Sequence, residues 1–294
     1  FMEYIFLVVS MLSSTSRSLL SKRLSPFTST LAGFGAVNSL ISGTAFVLAL
    51  VYCAAYGSFA LSGLTLALGL LYAVFTVLAQ LSYMRALAGG RVSSVSFFYS
   101  CGFLIPTAAG LIVWREVISP VGAIGILLLL PAFWFCGSKD VKEKKATENK
   151  GSAWVIWALA AMASSGAVGL IQKIHRTSES AGEVGGFLAV SMGASFVLSL
   201  LPLIFSGQSP KSFGMRKSDA AASAGCGICV GASNIINLIL TGLIPAVIFF
   251  PVFNGGVVVL SSAAARVFCG EKMTKKGLCG MIIGLCGIML AALR

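Results

Sequence analysis

The chain has 294 residues, of which 57% are hydrophobic and only 10% charged, and its mean hydropathy is +0.95. That composition excludes a soluble globular domain of this size. A formal net charge of +12 would suggest nucleic acid as the partner of a soluble protein. Here the basic residues flank apolar runs, so anionic lipid headgroups are the expected partner and nucleic acid is not.

Apolar runs of roughly 20 residues recur along the chain, each long enough for a hydrocarbon core of about 30 Å. They predict ten transmembrane helices, approximately Met2–Leu20, Leu31–Tyr56, Leu61–Leu87, Val92–Trp114, Ser119–Cys136, Ala153–Ile174, Val184–Phe205, Ala220–Leu243, Pro245–Cys269 and Lys275–Leu293. The first run lacks a basic n-region and a small-x-small cleavage site, so it reads as a mature helix. Connections are short except for the charged segment 138–151, which links two halves, 1–137 and 152–294.

The halves repeat one unit. Glu116-Val-Ile-Ser119-Pro-Val-Gly122-Ala-Ile-Gly125 and Glu271-Lys-Met-Thr274-Lys-Lys-Gly277-Leu-Cys-Gly280 both spell E-x-x-[ST]-x-x-G-x-x-G, at an offset of 155. Val92, Phe98 and Leu130 fall on Val247, Phe253 and Leu285 at the same offset. The first helices align at 151, with Met11, Ser13, Ser14 and Lys22 on Met162, Ser164, Ser165 and Lys173. In each motif an apolar helix ends near the Glu, Ser119 or Thr274 caps the next helix, and Pro120 sits in its first turn. Gly277, Gly280, Gly284 and Gly287 form a small-residue stripe suited to close helix packing in lipid. Either Glu is helix-end polarity at the membrane surface or it has a direct substrate role.

Five helices per copy is odd, so the copies lie in the membrane with opposite orientation, the inverted-repeat architecture of secondary transporters. Loops after odd-numbered helices, with the adjoining helix ends, hold 17 of the 21 Lys and Arg residues. The positive-inside rule then places those loops in the cytoplasm and both termini outside, in a multi-pass plasma-membrane protein.

Catalytic chemistry is not expected. One histidine and two aspartates, Asp140 and Asp219, are present, both aspartates fall outside the expected spans, and no carboxylate cluster, P-loop or metal spacing occurs. No cofactor or metal is implied. Cys226-Gly-Ile-Cys229 has redox spacing but no second pair and no neighbouring histidine, so the eight cysteines read as small hydrophobes. His175, between Lys173 and Arg176, reads as part of a solvated helix terminus.

What remains is polar side chains inside apolar helices, which face a cavity or each other. The first span carries Ser10, Ser14, Arg17 and Ser21 on one stripe. Arg17 either snorkels to the surface or presents a cation able to hold a carboxylate or phosphate. The third carries Tyr72, Thr76, Gln80 and Tyr83, and the eighth Asn234, Asn237 and Thr241. The asparagines either glue helices together or line a hydrophilic pocket. The repeat register places Tyr99 opposite Asn254, with Pro106, Pro251 and Gly255-Gly256 nearby. Such interruptions in corresponding helices point to a midplane binding site. The candidate substrate-binding set is Tyr99, Asn254, Asn234, Asn237, Gln80, Arg17, Tyr83 and Ser14, with Gln172 a further candidate.

Lys22 and Lys173 ending the first helix of each copy, Arg85-Ala-Leu-Ala-Gly-Gly before the fourth span, Pro106 within it and the duplicated motif make nearly the whole chain resemble the drug/metabolite transporter superfamily, in particular its ten-helix EamA-type carriers. The resemblance implies a central cavity, alternating access and a small-molecule substrate, in a monomer or homodimer. It leaves the substrate open, since relatives carry amino acids, nucleotide sugars, sugar phosphates and cationic drugs. The chain departs from small multidrug relatives, which carry a membrane-embedded Glu in the first helix where this chain has Arg17. A carrier of a small polar metabolite, neutral, zwitterionic or anionic, is therefore expected. The alternatives are a multidrug or metabolite exporter, or a lipid-handling or accessory membrane subunit.

Overall fold

A computed structural model describes residues 2–28, 30–56, 59–89, 92–136, 153–207, 215–269 and 275–292. The linker 138–151 and the Glu271–Thr274 half of the second motif lie outside the described residues. Among the described residues the chain is helical and has no strand. In order come α1 (Met2–Leu24), a 3₁₀ turn (Ser25–Thr28), α2 (Leu31–Tyr56), α3 (Gly63–Gly89), α4 (Val92–Cys101), α5 (Leu104–Ile112), α6 (Pro120–Cys136), α7 (Ala153–Thr177), α8 (Val184–Ser206), α9 (Lys217–Leu243), α10 (Ala246–Cys269) and α11 (Lys275–Ala292). Six of them, α2, α3 and α7–α10, contain segments long and apolar enough to cross a membrane, and three shorter apolar stretches lie in α4–α5, α6 and α11. The chain has the make-up of an all-helical, polytopic membrane protein. The expected boundaries shift in one place that matters: α9 starts at Lys217, so Asp219 lies inside its first turn, 6% exposed, rather than outside the span.

Local chemistry sets the helix ends. Thr30 caps α2, its hydroxyl accepting from Gly33 N at 3.1 Å, and Ser62 caps α3 through Thr65 N at 3.2 Å. Ser119 caps α6 as the motif requires, accepting from Gly122 N at 3.1 Å, with Pro120 as the first helical residue. Gly207, at φ 61°, closes α8 in the left-handed conformation that lacks a penalty only for glycine.

The fourth expected span is two helices. At Gly102 and Phe103 the N–H groups turn to the carbonyls three residues back, on Tyr99 (3.2 Å) and Ser100 (3.1 Å). Pro106 has no N–H to give the Gly102 carbonyl, which instead accepts from Ile105 N at 3.1 Å. The break packs on the Ser164-Ser165-Gly166 stretch of α7. Ser165 Oγ donates to the Tyr99 carbonyl at 3.0 Å, and a methyl on Gly102 would stand 2.7 Å from the Met162 carbonyl oxygen and 3.0 Å from Gly166 N.

The helices gather into two compact units that interleave the sequence halves: Phe1–Leu81 with Ile171–Leu243, and Ser82–Leu170 with Ile244–Arg294. In the first unit α2 lies along α8, and α1 along α9. In the second, α6 lies along α11, and α10 packs on α5 and α11.

The α2–α8 and α6–α11 pairs share a reciprocal contact pattern. A methyl on Gly43 would stand 3.1 Å from the Phe196 ring, and one on Gly193 would stand 3.0 Å from the Phe46 ring. Gly43 and Phe46 match Gly193 and Phe196 at an offset of 150, within a repeated G-x-x-F-V-L-x-L. In the second unit a methyl on Gly287 would stand 3.1 Å from Leu129, and one on Gly284 would stand 3.5 Å from Ala132. Leu129 and Ala132 match Gly284 and Gly287 at an offset of 155. In both pairs the contact runs up one helix as it runs down the other, so the helices are antiparallel. Each contact repeats with partners exchanged, the signature of an isologous, two-fold interface.

Gly125 makes the closest of these approaches. A methyl there would stand 2.7 Å from the Gly287 carbonyl oxygen and 2.9 Å from the Leu290 carbonyl carbon, and neither backbone group can give way. Gly125→Ala should cost about 1–3 kcal/mol, as overpacking does, and lower the melting temperature in detergent. Gly63→Ala, with nothing within 4 Å of the new methyl, should leave it unchanged. Equal melting temperatures for Gly125→Ala and wild type would contradict this packing.

Candidate functional site

In the first unit the polar side chains form three groups. Arg17 on α1 turns toward α3, and its Nη2 donates to Gln80 Oε1 at 2.6 Å. Gln80 is only 6% exposed, and Arg17 is half-buried.

Four residues zip α1 to α9. Ser10 Oγ donates to Asn237 Oδ1 at 2.6 Å and lies 2.9 Å from Ser233 Oγ, while Ser14 Oγ lies 2.7 Å from Ser233 Oγ. Further along the same interface Ser21 Oγ meets Cys226 Sγ at 3.7 Å, and Arg23 Nη2 donates to Asp219 Oδ1 at 3.0 Å. Asn237 thus joins helices, and its amide oxygen is spent on Ser10.

Asn234, one turn from Asn237, does something different. Its Oδ1 accepts from Tyr72 Oη at 3.2 Å, and its Nδ2 faces the Met192 sulfur at 3.6 Å. Gln172 Nε2 donates to the same Tyr72 oxygen at 3.4 Å. On α3, Tyr72 and Gln80 stand two turns apart on one face. Between them sits Thr76, whose hydroxyl oxygen is buried and meets no hydrogen-bond partner among the described residues.

In the second unit the Tyr83 and Tyr99 rings meet edge to face, 5.1 Å between centroids, and Phe98 meets Trp154 similarly at 6.3 Å. Asn254 bonds back to its own helix, Nδ2 to the Phe250 carbonyl at 2.9 Å. Glu116 Oε2 accepts from Val247 N at 3.0 Å, in the first turn of α10. A carboxylate at a helix N-terminus satisfies an orphan N–H and complements the helix dipole. Gly110 gives the carboxylate room, since a methyl there would stand 2.7 Å from Glu116 Oε2.

The candidates therefore divide. Arg17, Ser14, Gln80, Asn234 and Asn237 belong to the first unit; Tyr83, Tyr99 and Asn254 belong to the second. Tyr72 and Thr76 complete the column on α3. A groove of about 300 Å³ beside α2 and α9, lined by Leu48, Val51, Tyr52, Ala55, Ile235 and Ile236, is apolar and holds none of the candidates. Among the described residues no cluster of His, Cys, Asp and Glu could hold a metal.

His175 corrects the sequence reading. It is fully buried, not part of a solvated terminus. The cations beside it turn elsewhere: Lys173 Nζ donates to the Thr241 carbonyl at 3.3 Å, and Arg176 Nη1 donates to the Ala181 carbonyl. The imidazole lies tilted against Phe187, 4.4 Å between ring centroids, and places Nε2 3.3 Å from Thr65 Oγ1. Glu183, just ahead of α8, accepts from Ser62 N and Ser62 Oγ, each at 2.8 Å, and bonds the Thr65 hydroxyl. These bonds, that of Thr65 foremost, hold its carboxyl below the ordinary value of 4.5.

No protein-family model matches the sequence, and no curated relative does. One solved crystal structure superposes over 99% of this chain and 96% of its own, with a TM-score of 0.78 at 14% identity, a likeness that shows the fold alone.

Two measurements check these contacts. In a double-mutant cycle, Ser10→Ala and Asn237→Ala should show a coupling of about 0.6 kcal/mol, and at most about 1.7, as interhelical hydrogen bonds in membranes do; a coupling of zero would remove the zipper. For Glu183, the folded pKa lies below the unfolded one, so its contribution is present above about pH 4.5 and is lost as pH falls through the lower folded value. The melting temperature of wild type should drop more than that of Glu183→Gln between pH 6 and pH 3.5, two settings chosen to be roughly either side of this window. Parallel curves would contradict the assignment.

Proposed function

We propose that the chain is a secondary transporter of a small polar metabolite, neutral, zwitterionic or anionic, working by alternating access. The observation that carries this reading is the Arg17–Gln80 pair. A guanidinium held against a buried amide by apolar helices is expensive in lipid, and such groups mark substrate pathways. Thr76, whose hydroxyl meets no partner among the described residues, and Tyr72, bonded to Asn234 and Gln172, extend the same face of α3. Asn234, Arg17, Gln80 and Thr76, all of the first unit, are the proposed contacts; Asn237 and Ser14 hold α1 against α9.

Two features support a ten-span, inverted-repeat arrangement. The duplicated motifs divide the chain into two five-helix copies. The reciprocal antiparallel contacts of α2 with α8, and of α6 with α11, each require a two-fold axis perpendicular to the helices. For helices that cross a bilayer, such an axis lies in the membrane plane. The resemblance to ten-helix drug/metabolite transporters points the same way. Charge distribution supports cytoplasmic odd-numbered loops. The apolar groove beside α2 and α9 favours, as a second reading, a lipid-handling membrane subunit.

Counterflow in proteoliposomes, screened with labelled amino acids, nucleotide sugars and sugar phosphates, tests the proposal. Saturable exchange of at least one class is expected, reduced about tenfold or more in Arg17→Ala, the loss of roughly 1.4 kcal/mol or more of interaction. Flux of none of these solutes, or exchange unchanged in Arg17→Ala, would overturn it; movement of labelled phospholipid instead would favour the second reading.

A further inference from the structure

His175 is the sole histidine of the sequence, and its environment is built around one end of the ring. Nε2 meets Thr65 Oγ1, whose hydroxyl bonds the Glu183 carboxylate. Ser62 Oγ bonds the same carboxylate and stands 2.7 Å from Ser180 Oγ. A carboxylate accepts only, so Thr65 gives its proton to Glu183, and its oxygen is left to accept from the imidazole. The ring is thereby held as the Nε2–H tautomer. The other nitrogen, Nδ1, then carries the lone pair. It is buried and has no hydrogen-bond partner among the described residues.

An imidazole whose one nitrogen is oriented through a hydroxyl by a carboxylate, and whose other nitrogen is a bare base, is an arrangement for taking up a proton. Its burial makes the unpartnered nitrogen a group that calls for explanation. Arg176 and Glu183 are the charged groups beside the ring, one cationic and one anionic, and burial costs an imidazolium its hydration, so the charged ring is a passing state rather than a resting one. Thr65 from α3 and Phe187 from α8 contribute no charge. Lys173, one turn back on α7, directs its ammonium to the Thr241 carbonyl.

We propose that His175 is a proton-binding site whose Nδ1 accepts a proton and whose Nε2 passes one toward the membrane surface through Thr65 and Glu183. Uptake at Nδ1 gives the imidazolium. The Nε2 proton then moves to Thr65 Oγ1 as the Thr65 hydroxyl proton moves to the Glu183 carboxylate. One proton has entered, one has reached Glu183, and the ring is neutral again. Glu183 precedes α8 and is partly exposed, so the far end of this chain of bonds meets solvent. Coupling of this site to solute movement rests on the transporter reading; the proton site itself does not.

Protein labelled with ¹⁵N-histidine and placed in nanodiscs gives a single imidazole to observe. The expected result at neutral pH is Nε2 protonated and Nδ1 unprotonated, with that preference lost in Thr65→Val and in Glu183→Gln. A ring protonated at Nδ1, or the same tautomer mixture in wild type and both variants, would overturn the proton site whatever the protein carries. In proteoliposomes that show counterflow, a pH gradient should change the wild-type initial rate several-fold and leave His175→Gln unaffected, with counterflow at equal pH within about twofold of wild type. A gradient response undiminished in His175→Gln would overturn the coupling while leaving the transporter reading intact. Loss of counterflow at equal pH in this variant would also overturn it, by making His175 part of solute binding.

Discussion

Hydrocarbon offers no hydrogen bonds, so each polar side chain on a spanning helix has to find its partner on another helix, bond back to its own, or go without. That constraint organises the first unit. α1 carries a serine stripe that would be costly against lipid, and α9 supplies Ser233, Asn237 and Cys226 to meet it. The charged end of the interface is closed by Arg23 and Asp219. With the zipper satisfied along its length, α1 and α9 form a continuous pair. The polar groups left over, Arg17, Gln80, Thr76, Tyr72 and Asn234, are drawn to α3. The zipper thus separates the polar groups that join α1 to α9 from those gathered on the face of α3.

A second constraint is steric. Helices in lipid gain little from burying apolar surface against each other, because lipid tails are equally apolar; they gain from close approach. Glycine supplies it here in matched pairs. Gly43 takes the ring of Phe196 and Gly193 takes the ring of Phe46. Where Gly125 meets Gly287 the contact is backbone on backbone. In α2 and α8 the same residue types recur, so one sequence unit builds both sides of its own interface.

Much of this was legible in the residues. The duplicated E-x-x-[ST]-x-x-G-x-x-G fixes the cap at Ser119 and the small-residue face of α6, because capping and close packing are local demands. The G-x-x-F-V-L-x-L pair at an offset of 150 carries the same information for α2 and α8, and a search at that offset finds it. Other features depend on partners that no spacing reveals. Asn234 and Asn237 sit on one helix face, yet one meets Tyr72 and the other Ser10. Pro106 announces an interruption, but the break falls at Gly102, where α7 presents Gly166. His175 misled because Lys173 and Arg176 flank it. The sequence suggests a solvated end, whereas both cations are drawn to backbone carbonyls, Thr241 and Ala181, and the imidazole is left facing inward.

Opposed orientation of the two copies is the claim on which alternating access depends, and accessibility decides it. Pro26 and Thr177 occupy equivalent positions at the end of the first helix of each copy, at the offset of 151, and both are exposed. Single cysteines at these positions, in a background without other cysteines, should react with a membrane-impermeant maleimide from opposite faces of sealed vesicles of known orientation. Reaction of both from the same face would place the copies parallel and contradict the inverted repeat.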